Sequence, residues 1–99
     1  MREVLNKNDQ LVLLNRTYTI KDVIGKGATC IVYDAYYLDE LGLKHNVRIK
    51  ECFPSQYTEN RRNNKEIVWH NEEEHQKGID AFNNTYKKQL FFQNNTLFT

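Results

Sequence analysis

Ile24-Gly25-Lys26-Gly27-Ala28-Thr29-Cys30-Ile31-Val32-Tyr33, followed one strand later by Val47-Arg48-Ile49-Lys50, decides the reading of this chain. Residues 18–24 alternate: Tyr18, Ile20 and Val23 or Ile24 are apolar, while Thr19, Lys21 and Asp22 are polar, the pattern of a half-buried strand. Residues 31–38 are rich in β-branched and aromatic side chains and predict a second strand. Gly25-Lys26-Gly27-Ala28 forms the flexible turn between them. A glycine lets backbone N–H groups approach phosphate oxygens, and hairpin turns also use glycine for purely backbone reasons, so the G-x-G pair leaves both readings open. In residues 47–53, a third strand, Val47 and Ile49 alternate with Arg48 and Lys50, so the two cations share a face. That face is either solvated or turned to a ligand, whose phosphates a lysine would neutralise as a point charge.

Outward from this centre, Val4-Leu5 and residues 11–14 flank Asn6-Lys7-Asn8-Asp9, whose side chains favour turns, so residues 1–16 predict a leading hairpin. Residues 17–53 hold the glycine-rich loop and the lysine strand, which Pro54 ends. Residues 55–66 are polar and read as a loop. Ile67-Val68-Trp69 is a short extra strand or a packed turn. From Asn71 the period becomes helical: Ile79, Phe82, Tyr86 and Leu90 fall three and four apart, predicting a helix over residues 71–93. Asn71 is its expected N-cap, and Glu72, Glu73 and Glu74 suit the positive end of the helix dipole. Gly78 costs that helix about 1 kcal/mol relative to alanine. Phe91 lies off the apolar stripe and predicts an interface. The expected fold is α+β: a small antiparallel sheet with one main helix, in a single domain.

Composition narrows the function. Of 99 residues, 39% are hydrophobic and 27% charged, ordinary globular usage. Fourteen basic and 13 acidic side chains leave a net charge of +1, with no basic patch for nucleic acid or membrane. The start has no apolar signal region, and no apolar run approaches the ~18 residues of a membrane span, so a cytoplasmic protein with reduced Cys30 and Cys52 is expected. His70 and His75 are five apart, unlike the i, i+4 pair of a helical zinc site, and no metal is expected. Cys30 has no evident His–Asp partners for nucleophilic catalysis.

Taken together, Tyr18-Thr19-Ile20-Lys21-Asp22-Val23-Ile24-Gly25-Lys26-Gly27, Val32-Tyr33-Asp34-Ala35 and Val47-Arg48-Ile49-Lys50-Glu51 resemble the first three strands of eukaryotic-type protein kinases, with their G-x-G-x-x-G-x-V and V-A-I-K signatures. Lys50-Glu51-Cys52-Phe53-Pro54-Ser55 is similar to the segment that follows the lysine in bacterial Ser/Thr kinases of this type. The helix stands where those kinases place αC, and the resemblance spans about residues 11 to 93. It implies an incomplete kinase amino-terminal lobe. Gly25 and Gly27 would cover the phosphates of ATP, Ile24 and Val32 would pack on adenine, and Lys50 would pair the α/β-phosphates and an αC glutamate. Mg2+, a protein substrate and a carboxy-terminal lobe would belong to the parent kinase. The chain holds no H-R-D, D-F-G or A-P-E, so no catalytic residue and no activity of its own are expected.

The chain departs from the family pattern at three positions. Cys30 replaces the third loop glycine, Arg48 replaces the small residue over adenine, and Asn84 or Thr85 stands where the αC glutamate belongs. These departures favour an alternative, a pseudokinase-like interaction module without nucleotide binding. A lobe lacking two strands also predicts an unprotected sheet edge and self-association, such as a homodimer.

Overall fold

The computed structural model describes residues 2–13, 15–63, 65–86 and 91–92, with the side chains of 86, 91 and 92 set aside. Its elements are β1 (Gln10–Leu13), β2 (Arg16–Lys26), β3 (Cys30–Leu38), β4 (Lys44–Cys52), β5 (Thr58–Arg61), β6 (Ile67–Trp69), α1 (Glu72–Tyr86) and β7 (Phe91–Phe92). The main sheet runs β1-β2-β3-β4-β7, and β5-β6 form a second, two-stranded sheet. The first four strands pair antiparallel, and β7 joins β4 in parallel at Lys50 and Glu51. The chain is therefore α+β, with one helix among the described residues. None of its described helices is long and apolar enough to cross a membrane.

Strand alternation sorts the side chains onto two faces. On one, Ile20, Ile31, Tyr33, Ala35 and Ile49 meet Leu5, Leu11, Phe53 and Ile67 in the main core. Each fully buried aliphatic there contributes about 1.5–3 kcal/mol relative to exposure. The other face is covered by α1 only at one end, where Phe82 packs on Cys30 and Cys52, with Val32, Trp69 and Ile79 at the margin. Asn71 caps α1: its Oδ1 accepts the Glu74 N–H at 2.9 Å, and its carbonyl accepts the His75 N–H at 3.0 Å.

Several expectations are corrected. Residues 4–5 form no strand; β1 pairs with β2 instead, and Asn8 takes a left-handed φ of 74° in the turn before it. The polar stretch read as a loop contains β5, which pairs with β6. The predicted helix over 71–93 ends earlier, at Tyr86, and residues 91–92 are a strand. That strand changes the expected bare edge as well, because it pairs β4 at Lys50 and Glu51. The register with β7 leaves residues 44–49 of β4 without a partner on their outer side among the described residues. Leu90 and the side chain of Phe91 lie outside the described residues.

Candidate functional site

The glycine turn is short because β2 and β3 stay paired up to Lys26 and Ile31, and Gly27 N–H then donates to the Cys30 carbonyl at 2.9 Å. Two further bonds tie the turn to the chain after β4. Phe53 N–H donates to the Thr29 carbonyl at 3.1 Å, and Ser55 N–H donates to the Ala28 carbonyl at 2.9 Å. Pro54, which has no N–H, sits between these two donors.

Register then brings the sequence-predicted residues together. Gly25 pairs with Val32, and Val32 pairs with Lys50, so the three form one row across β2, β3 and β4. Directly paired residues share a face, and α1 packs on this same face at the adjoining Cys30–Cys52 row. Ile24 lies at the bulge between the Val23–Tyr33 and Gly25–Val32 pairs and is 43% exposed. Neither loop glycine is demanded by the fold. Gly42 alone among the described glycines has a positive φ, and a methyl at Gly25 or Gly27 would meet nothing closer than 3.7 Å. The backbone therefore leaves room above both positions without needing glycine for the turn.

The next row along the same face is Asp22, Asp34 and Arg48. Arg48 Nε lies 3.8 Å from Asp34 Oδ1, and its side chain is 75% exposed. So open a pair contributes little. Its position matters more, since the guanidinium shares the face of Val32 and Lys50. At the helix, Thr85 Oγ1 donates to the Ala81 carbonyl at 3.0 Å. Thr85 also lines a cleft of about 320 Å³ with Ala28, Thr29, Pro54 and Phe82, between the glycine turn and α1.

Immediately beside Lys50, on the opposite face, stands a group that sequence reasoning passed over. Glu51 is fully buried, and its partner Arg61 exposes only 2% of its side chain. Arg61 grips the carboxylate with both terminal nitrogens: Nη1 donates to Oε2 at 2.8 Å and Nη2 donates to Oε1. Its remaining donors reach the Glu3 carbonyl at 2.7 Å, the Lys65 carbonyl at 3.1 Å and the Tyr33 hydroxyl at 3.3 Å. All five guanidinium hydrogens are thus used. The Tyr33 hydroxyl donates to Glu51 Oε1 at 2.9 Å and accepts the Leu5 N–H at 3.1 Å. Burial opposes the charge on Arg61, but the hydrogen bond and charge of Glu51 outweigh it and raise its pKa. Burial, and then the Glu51 charge, push the Tyr33 phenol far above its ordinary range. The signal was present in the sequence: Glu51 has the same strand parity as Ile49 and Phe53, and an inward carboxylate requires a buried cation.

Among the described residues, no three His, Cys, Asp or Glu side chains converge on a metal position. His70 Nδ1 instead bonds Glu74 Oε2 at 2.8 Å, and His75 stacks on Trp69 with ring centroids 4.4 Å apart. No family model, curated protein or solved structure matches this chain.

Proposed function

We propose that this chain is the amino-terminal lobe of a bacterial-type Ser/Thr protein kinase, presenting the phosphate-facing half of an ATP–Mg2+ site and performing no transfer by itself. The observation that carries the reading is the row of Gly25, Val32 and Lys50 on one sheet face, at the margin of the cluster that α1 covers. ATP supplies the phosphoryl group; Lys50 would hold its α/β-phosphates, the Gly25–Gly27 segment would cover them, and Ile24 and Val32 would offer apolar contact to the base. The room over both glycines suits this fit. The ligands for Mg2+ and the catalytic aspartate would come from a carboxy-terminal lobe against this face, so binding by this chain is weak. The same reading puts the protein in the cytoplasm, which two thiols outside any disulfide favour.

A specific observation favours a second reading, an interaction module without nucleotide. Arg48 stands exposed next to the Val32–Lys50 row, and Thr85, which with Asn84 is one of the two candidates for the place of the expected glutamate, bonds its own helix.

An acyl-phosphate derivative of ATP, which acylates lysines beside bound phosphates, separates the two. The kinase reading expects Lys50 to be acylated in preference to Lys26 and Lys44, and excess ATP–Mg2+ to suppress that labelling. Labelling spread evenly over exposed lysines and indifferent to ATP would leave only the module reading.

A further inference from the structure

Cys30 and Cys52 are Cα partners at the end of the β3–β4 ladder. Antiparallel pairs alternate between those that exchange backbone hydrogen bonds and those that do not. The neighbouring pair, Thr29 and Phe53, is bonded through Phe53 N–H, and the Cys30 carbonyl turns away to accept Gly27 N–H from β2. Cys30 and Cys52 therefore occupy a non-bonded position. Such pairs hold their Cα atoms about 4.5 Å apart with side chains on one face, within the roughly 4.4–6.8 Å that a disulfide spans. Both side chains lie under α1 against Phe82, with Cys30 7% and Cys52 1% exposed. Neither is in a disulfide.

We propose that Cys30 and Cys52 are a reversible dithiol, which a small hydroperoxide converts to an intramolecular disulfide that staples the glycine turn to the end of the lysine strand. Access favours a small oxidant. Phe82 roofs the two thiols and also lines the 320 Å³ cleft, whose wall includes Ala28 and Thr29, the residues just before Cys30. Cys30 is the attacking sulphur, being the less buried of the two and following the cleft-lining Ala28 and Thr29 in the chain. Its thiolate takes the terminal peroxide oxygen, the O–O bond breaks, and the alkoxide or hydroxide released takes up a proton. The sulphur of Cys52 then attacks the Cys30 sulfenic acid; the S–O bond breaks, and hydroxide leaves with the Cys52 proton as water. In sum, two thiols and one hydroperoxide give one disulfide, one water and one alcohol (or a second water). Cys52 does not initiate, since burial, together with Cys30 and Glu51 nearby, pushes its thiol up to about 12; its place opposite Cys30 in the ladder is what lets it react second. Its S–H also donates to the Gly78 carbonyl on α1 at 3.7 Å, and the disulfide removes that donor. Oxidation therefore tightens the turn and releases one tie between sheet and helix. None of this depends on whether Lys50 meets a nucleotide.

The test treats the full chain with one equivalent of hydrogen peroxide, then alkylates under denaturing conditions and digests without reductant. We expect both thiols to be lost together, one crosslinked peptide joining Cys30 to Cys52 in the monomer, and full recovery of two alkylatable thiols with dithiothreitol. Treated Cys30→Ser keeps Cys52 alkylatable. Sulfinic acid at either position, disulfides between chains, or two unreacted thiols in the wild-type protein would overturn the proposal.

Discussion

Arg61 replaces all the water of a guanidinium with five protein acceptors, and it neutralises Glu51, to which the Tyr33 hydroxyl also donates. A buried ion pair of this kind adds little over a well-packed apolar pair, yet losing one partner leaves a charge stranded in the core. Arg61→Ala should therefore cost about 3–5 kcal/mol, a large part of the roughly 5–15 kcal/mol that holds a domain folded. Tyr33→Phe strands only the Leu5 N–H and one arm of the network, and should cost about 1–3 kcal/mol. Urea unfolding of the two variants measures the order. An Arg61→Ala protein as stable as Tyr33→Phe would mean that water enters and solvates Glu51. Phe53 lies beneath the pair with the Arg61 guanidinium 4.8 Å from its ring centre, so the alkyl stem and ring contribute packing as well as charge.

Helix α1 is attached to the sheet through a residue that looks like a defect. Gly78 weakens a helix by propensity, but a Cβ there would lie 2.8 Å from Cζ3 of Trp69 and 3.2 Å from Cγ of Pro54. The six-membered ring of the indole closes on the helix at this point, so the missing side chain is what lets β6 and α1 meet. Gly78→Ala, stabilising on an exposed helix, should here destabilise by about 1–3 kcal/mol through overpacking; a rise in thermal midpoint would show that Trp69 swings aside freely. Such reasons are invisible in one dimension. Alternation in residues 18–24, 31–38 and 47–53 was legible, as were the Asn71 cap and the shared face of Arg48 and Lys50, because each depends only on local period or side-chain chemistry. β5 was not legible. Thr58, Glu59, Asn60 and Arg61 carry no apolar alternation, and their strand is fixed by long-range partners: Asn60 Oδ1 accepts the Glu3 N–H and Arg61 holds Glu51. The helix was overrun because the apolar stripe continues in sequence to Leu90, whereas residues 91–92 are a strand held by β4, a long-range partner.

Across the whole molecule, the two faces of the sheet are treated unequally. One is closed by the amino-terminal segment and β5–β6; among the described residues the other is closed only around Phe82, with Val32 at the margin of that cluster, Asp34 and Lys50 half-buried beyond it and Arg48 exposed. The outer side of residues 44–49 adds an unpaired strand edge among the described residues, next to exposed Leu38, Leu41 and Leu43. An edge of this kind recruits another strand. Static light scattering should therefore give an average mass that climbs above one chain as concentration rises, and a constant monomer mass throughout would remove this expectation. The buried Glu51 bears on the same strand in another way. Lys50 and Glu51 are adjacent, so a slip of one residue in the pairing of β3 with β4 would turn the lysine inward against Arg61 and cast the carboxylate into solvent. Two cations would then face each other in the core, and a pairing shifted by one residue would carry that repulsion. The ion pair thus acts as a check on strand parity, penalising the one-residue shift that would take Lys50 off its face.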